Sequence, residues 1–215
     1  MIRSLWALVL FFSASAQAFT FEDLAAIIKS GNVKSIEQLL PLLPEELRAD
    51  YVLMYRSRSL QDASFENPRA IMFGKDARLV LSFNGDPSHK GFSEIEAIQY
   101  REKEARFEFR EIQFGARVDI SAANPAKCLK CHQAATRTGV DPRPNWEPYS
   151  FWPGAYGAAD GFFKPSLSRQ QIEKNLSKDP EMLAIVRAGD GERAGLERYQ
   201  ANAPNHPRYK YLGPM

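Results

Sequence analysis

The chain contains two cysteines, and both lie in the pentapeptide Cys128-Leu129-Lys130-Cys131-His132. On a helix, residues three or four positions apart share one face. A helical turn here therefore presents both thiols and the imidazole on the same side. Pro125 suits the first helical position, where no N–H donor is needed, and Asn124 before it is a good N-cap. The sequence predicts a short helix that carries all three groups together.

This spacing has four interpretations. C-x-x-C-H is typical of covalent haem attachment, in which two thiols bond the porphyrin and the histidine faces the iron. A disulfide between the cysteines, as in thioredoxin-like motifs, needs no histidine and accompanies a βαβ pattern that the sequence does not show. Structural zinc needs four ligands, and only His89 and His206 remain to supply nitrogen. Two incidental thiols are a liability in an exported protein. Haem is the favoured interpretation.

Through Cys128, Cys131 and His132 the chain resembles the c-type cytochromes. The resemblance covers this motif only. It implies one covalent haem c, thioether-linked through both cysteines, with His132 as the proximal iron ligand. It also implies that the haem is attached outside the cytoplasm.

The N-terminus predicts export. Residues 1–18 combine a basic Arg3, an apolar run from Leu5 to Phe12 and small residues that end at Ala18, as in a cleavable secretory signal peptide. The run is too short to span a bilayer, and no second run reaches the required length. We therefore expect a periplasmic protein that does not span the membrane. A net charge of +2 gives no strong field toward nucleic acid or anionic lipid.

The chain after residue 18 predicts an α+β fold. Three helices are expected within residues 20–55, from an apolar period near 3.6 and the breaks at Gly31 and Pro41. From Arg69 the period changes to two, which predicts a four-stranded antiparallel meander over 70–73, 78–84, 94–100 and 106–114. A bulge near Arg110 would bring Phe107, Phe109, Ile112 and Phe114 to one core side.

A mostly helical and loop-rich c-type haem lobe is expected to follow, with one helix that begins near Ser168 and another that begins at Asp179 and ends at Gly189. The predicted organisation is therefore 1–18 signal peptide, 19–120 helix-plus-sheet lobe and 121–215 haem lobe. Within 142–157, prolines and glycines alternate with large aromatics, which predicts a loop wrapped around the cofactor. Trp146, Trp152 and Tyr156 would supply flat apolar walls, and Arg143 would pair with a haem propionate. A loop that only completes the core is the alternative.

The sixth iron ligand decides the function. His206 in the tail and Met182 are the leading candidates, ahead of His89 and Met54. A second protein ligand predicts single-electron transfer with a periplasmic redox partner. An open distal side predicts a haem-based sensor or a small-ligand or peroxide oxidoreductase. No Ser-His-Asp set, carboxylate signature or phosphate loop points to an enzyme independently of haem, and the sequence does not indicate an oligomeric state.

Overall fold

The computed structural model describes residues 18–57, 59–75, 77–136, 139–144, 154–156 and 189–214. The predicted signal peptide lies outside these residues apart from Ala18. Trp146, Trp152, Met182 and the helices predicted between residues 168 and 188 also lie outside them. Within the described ranges, no helix has the length and apolar character needed to cross a bilayer.

One antiparallel sheet organises the fold, and its six strands pair in the order in which they follow along the chain. Antiparallel neighbours need only short connections, which the chain provides. The strands are β1 (Tyr51–Met54), β2 (Arg69–Met72), β3 (Leu79–Phe83), β4 (Glu94–Arg101), β5 (Arg106–Gln113) and β6 (Asp119–Ile120). The prediction of a four-stranded meander is wrong, because the sheet has one further strand at each edge.

β1 replaces the second half of the predicted third helix. That helix ends at Ala49, and Asp50 already has an extended backbone with φ −107° and ψ 111°. Tyr51 and Val52 are residue types that favour strands, and pairing with β2 brings Leu53 into the core. The same apolar residues also fit a helical period, and the long-range strand pairing decides between the two.

Three short helices precede the sheet. They are α1 (Phe21–Ser30), α2 (Ile36–Leu39) and α3 (Glu45–Ala49), with a 3₁₀ turn at Leu40–Leu42 after α2. α1 begins at a capping box in which Thr20 and Asp23 exchange hydrogen bonds, and this arrangement satisfies two N–H groups at the helix start. Ser35 caps α2, its side chain accepting from the Gln38 N–H.

Both faces of the sheet bury apolar side chains. β4 and β5 pair without a register shift along all eight residues of β4. The bulge predicted near Arg110 is therefore wrong, and Phe109 and Ile112 lie on opposite faces because their positions differ by an odd number. Both are nevertheless buried, at 3% and 0% exposed. A sheet with one face in water would need the bulge to bury both residues, whereas a sheet that buries side chains on both faces does not.

We name the two faces by what covers them. The helix face packs against α1–α3 and carries a continuous apolar core that includes Leu53, Met72, Leu81, Phe83, Ile95 and Ile112. The opposite face, here called the cavity face, carries Ile71, Val80, Ile98 and Phe109, which line an open cavity.

The described residues of the predicted haem lobe are not mostly helical, so the predicted fold class is wrong in this part as well. After the helix α4 (Ala126–His132), two strands pair as an antiparallel hairpin, β7 (Gln133–Thr136) and β8 (Gly139–Pro144). Gly189, predicted to end a helix, begins α5 (Gly189–Asn202). Two 3₁₀ turns follow, at Ala203–Asn205 and Tyr209–Tyr211.

The C-terminal tail closes the helix face. Tyr199 and Tyr209 belong to the same core cluster as α1–α3. Arg208 is 2% exposed; its guanidinium donates to Glu37 at 2.5 Å and to the backbone oxygens of Asn84 and Phe92 at 2.6 and 2.7 Å. Residues beyond 121 thus help to build the core of the first lobe, and the boundary at 120 stays a prediction.

Candidate functional site

α4 carries the two cysteines and the histidine, and it is anchored to β5. The N–H of Asn124 donates to the Phe109 oxygen at 2.8 Å, and the Phe109 N–H donates to Asn124 Oδ1 at 2.9 Å. Asn124 adopts φ 56°, a left-handed conformation that asparagine tolerates better than most residues. Its side chain is therefore occupied by the strand, and the helix begins after Pro125 without the predicted asparagine cap.

Two further contacts fix the helix. Lys127 forms an ion pair with Glu111 of β5. The His132 ring stacks on Phe109, with ring centroids 4.4 Å apart and an interplanar angle of 26°. Cys128 is half-buried and Cys131 is exposed, and they are not joined by a disulfide. His132 thus contacts β5 directly, and the helix that carries both cysteines is held to the same strand by Lys127.

A cavity of about 410 Å³ opens beside the motif. This volume lies within the range of about 300–1,000 Å³ that is usual for small-molecule and cofactor sites. Cys128, Cys131 and His132 border it from α4, and Phe109, Ile98, Val80 and Ile71 supply apolar surface from four neighbouring strands. The structure therefore brings the motif together with an apolar wall that no local pattern had marked.

The same cavity has a charged floor. Arg69 Nε donates to Gln61 Oε1 at 2.9 Å, and Nη2 donates to Ser82 Oγ at 2.7 Å and to the carboxylate of Glu96. Gln61 donates in turn to the backbone oxygens of Ser82 and Glu94 at 3.2 and 2.7 Å. Ser82 and Gln61 are 2% and 0% exposed. A buried charge pair is costly unless its hydrogen bonds are satisfied, and this network satisfies them.

A glycine allows the network to form. Gly91 has φ +75°, and a Cβ there would lie 2.9 Å from Gln61 Cγ and 3.1 Å from the Leu60 oxygen. Any larger residue would be strained in this conformation and would displace the segment that carries Gln61.

The charges of the cavity face affect the pKa of the Cys128 thiol. Burial raises the pKa of Cys128 to about 11, and the nearby carboxylates of Glu96 and Glu111 add to the shift. Burial and the charge of Glu111 also raise the pKa of Glu94, against the opposing charge of Lys127. A thiol that stays protonated at neutral pH differs from the thiolates of dithiol redox motifs and metal sites, whose pKa is lowered. The electrostatics therefore favour a neutral thiol at this position.

His206 lies away from the motif. Its Nδ1 accepts from the N–H groups of Arg208 and Tyr209 at 3.1 and 3.2 Å, so the proton resides on Nε2, which faces the Gly85 oxygen at 3.1 Å. The ring also stacks on Tyr209 at 4.1 Å. Burial lowers the pKa of His206. Both ring nitrogens are thus used to fold the tail, and an iron ligand would have to break these bonds.

The other predicted site residues are dispersed. Tyr156 lies at the β1 edge, where its hydroxyl donates to the Phe65 oxygen at 2.5 Å and its ring meets Tyr55 at a centroid distance of 5.1 Å. It is not among the described residues that line the cavity. Arg143 lies in β8 next to Pro144, which pairs with Gln133, the residue after the motif. The backbone of Arg143 therefore runs beside the end of α4.

The two remaining candidates for the sixth ligand are also in other places. His89 Nε2 is 3.7 Å from an Asp86 carboxylate oxygen, and its buried Nδ1 has no hydrogen-bond partner. Met54 lies in β1 and pairs with Arg69. Neither residue is among the described residues that line the cavity.

The residues around the cavity fit a haem. A porphyrin supplies four nitrogens to its iron, so the protein needs to add only His132 on one side, and two thiols border the same space. In the described ranges, no group of three or more His, Cys, Asp or Glu side chains is placed to hold a bare metal ion. No family model, curated protein or solved structure matches the chain.

Proposed function

We propose that this chain is an exported monohaem c-type haem protein that transfers single electrons with a redox partner in the periplasm. The supporting observation is that Cys128, Cys131 and His132 border one cavity whose opposite surface is apolar. When bound, the haem supplies one-electron chemistry at iron. Cys128 and Cys131 would anchor it, His132 would ligate the iron, and the apolar side chains of β2–β5 would exclude water.

Mass spectrometry tests the covalent haem. Protein expressed with a haem-maturation system should carry one added haem that survives extraction with acidified acetone. Cys128→Ala and Cys131→Ala should each lose one thioether, and His132→Ala should keep the attachment while its iron spectrum changes. A colourless protein, or pigment that extracts completely, would refute the proposal, and an unchanged spectrum in His132→Ala would refute the proximal ligand.

A second candidate function is haem-based sensing or small-ligand or peroxide chemistry on an open distal side. The observation that favours it is the engagement of both ring nitrogens of His206. The described residues that line the cavity include neither a methionine nor a second histidine. Absorption spectra of the reduced protein with and without carbon monoxide separate the two functions, because an iron with two protein ligands resists carbon monoxide.

Substitution of the remaining ligand candidates sharpens this test. Met182→Ala and His206→Ala are compared in the same haem-loaded background. A high-spin spectrum in one of them identifies the second protein ligand and supports electron transfer. A wild-type protein that binds carbon monoxide readily supports the open site.

A further inference from the structure

The floor of the cavity carries a buried guanidinium, that of Arg69. Phe109 of β5 lies under the motif helix, and Ile98, Val80 and Ile71 follow on β4, β3 and β2. Neighbouring strands are about 4.8 Å apart, so β2 lies roughly 14 Å from β5. Arg69 belongs to β2 and borders the cavity from there. Its guanidinium reaches over β3 to Ser82 and to the Glu96 carboxylate of β4, so it lies on the cavity floor between β2 and β4, whereas His132 stacks on Phe109 of β5.

A purely structural role explains Arg69 poorly. A buried ion pair seldom stabilises a fold more than well-packed apolar side chains of similar volume would, because both charges lose their hydration. The helix face of the same sheet is filled with such apolar side chains at the equivalent depth. An ion pair at the edge of a cavity is easier to explain if its guanidinium binds a ligand inside the cavity.

The donors of Arg69 allow such a role. A guanidinium has five N–H groups. Nε and Nη2 make the hydrogen bonds to Gln61, Ser82 and Glu96, and Nη1 takes part in none of them. The network thus fixes the orientation of the side chain through one edge and leaves the donors of Nη1 outside it.

We propose that Arg69 forms a ligand-binding subsite on the floor of the cavity that His132 also borders. It donates a hydrogen bond to the terminal atom of a small ligand of the haem iron, such as a diatomic gas. Glu96, Ser82 and Gln61 are positioning residues that hold the guanidinium. The inference rests on the proposed covalent haem and deepens its open-site form, for which it names the ligand class and the residue that meets the ligand.

The C–O stretching frequency of carbon monoxide on the reduced, haem-loaded protein tests this subsite. A cation near the oxygen atom lowers the frequency, because it stabilises electron density that the iron donates into the ligand. Arg69→Met should therefore move the band to higher wavenumber. Glu96→Gln should move it to lower wavenumber, because it removes the carboxylate that offsets the guanidinium. Opposite shifts are not expected from a general loss of structure.

Two controls complete the experiment. Arg69→Lys keeps a cation and should leave the band nearer to wild type than Arg69→Met does. Arg78→Met removes an exposed arginine that pairs with Glu102 at 2.9 Å, and it should not move the band. If Arg69→Met fails to fold, Glu96→Gln alone decides: a downward shift supports the subsite and an unchanged band refutes it.

The outcomes separate this inference from the proposed function. A colourless protein refutes the haem and the subsite together. A pigmented protein that does not bind carbon monoxide refutes the subsite but leaves electron transfer intact. A pigmented protein whose band is the same in wild type, Arg69→Met and Glu96→Gln also refutes the subsite alone.

Discussion

The two faces of the sheet are built from the same strands but differ in what they hold. On the helix face, Leu81, Phe83 and Ile95 are fully buried in a continuous apolar core. On the cavity face, apolar side chains such as Val80 share their strands with Ser82 and Glu96, and a cavity separates them from α4. The helix face stabilises the fold through apolar packing. The cavity face has fewer apolar side chains and instead holds an ion pair and an open cavity. Such local departures from a well-packed core are expected at functional sites.

The largest predicted contrast is between two phenylalanines. Phe83 on the helix face is 0% exposed and packs on Tyr209, so Phe83→Ala should lower the free energy of unfolding by about 3–5 kcal/mol. Phe109→Ala should cost less, because Phe109 borders the cavity and does not belong to the continuous apolar core. Denaturant unfolding of both variants in the same haem state measures the difference. Equal losses would contradict the comparison of the faces.

The second prediction concerns the closure of the helix face by the tail. Arg208→Met leaves Glu37 and two buried backbone oxygens without their donor, and should lower the free energy of unfolding by about 3–5 kcal/mol. Arg198→Met removes an exposed ion pair with Glu66 and should cost only about 0.2–1 kcal/mol. Thermal and denaturant unfolding of the two variants should rank them in this order, and a reversed order would show that the tail does not close the face.

The ion pair between Arg208 and Glu37 predicts a pH dependence of stability. Burial alone would raise the pKa of Glu37, but the hydrogen bond and charge of Arg208, together with hydrogen bonds from the Glu37 backbone and Ser35, outweigh it, so the pKa lies below its ordinary value. A carboxyl group with a lowered folded-state pKa stabilises the fold above its unfolded-state pKa of about 4.3, and this stability is lost as the pH falls through the folded-state pKa. Glu37→Gln should cost about 1.5–3 kcal/mol at pH 7.

Unfolding curves at a series of pH values check this sign. The advantage of the wild type over Glu37→Gln should be constant near neutral pH and should shrink in acid. Glu66→Gln, at the exposed ion pair, serves as the matched control and should show little change. A difference for Glu37→Gln that grows in acid would contradict the assignment.

The smallest predicted effect concerns the anchor of α4 to the cavity face. Asn124→Gly keeps the left-handed backbone but loses the side-chain hydrogen bond to Phe109, at a cost of about 0.5–1.5 kcal/mol. Asn124→Ala loses the same bond and adds the strain of φ 56°, about 1–2 kcal/mol more. The free energy of unfolding should therefore be lower for Asn124→Ala than for Asn124→Gly. Equal stabilities would mean that the left-handed turn is not retained in solution.

Local patterns in the sequence predicted the centre of the sheet well and its edges poorly. β2–β5 lie within one residue of the predicted strands, because alternation and turn residues are both local signals. β1 was assigned to a helix because Tyr51–Met54 fits either period, and only its pairing with β2 decides the outcome. The supposed bulge in β5 followed from an assumption that one face is wet, and sequence parity alone does not show that a second layer covers that face.

The candidate site shows the same contrast between residues that are close in sequence and residues that only the fold brings together. Cys128, Cys131 and His132 are consecutive in sequence and were found directly. Arg69, Ser82 and Glu96 lie on three strands and meet only through the register of the sheet, so each one alone looks like an ordinary polar position of a half-exposed strand. The roles of His206 could not be predicted either, since its partners include the Gly85 oxygen, 121 residues away.

The place of the tail in the sequence also determines when the helix face can close during synthesis. A chain is made from its N-terminus, so Cys128 and Cys131 emerge well before Arg208 and Tyr209. Until those residues arrive, the Glu37 carboxylate and the Pro68 oxygen, which later accepts from the Tyr209 hydroxyl at 2.7 Å, lack their partners. Closure of the helix face therefore comes after the motif has emerged, because Arg208 and Tyr209 lie after Cys131 in the sequence.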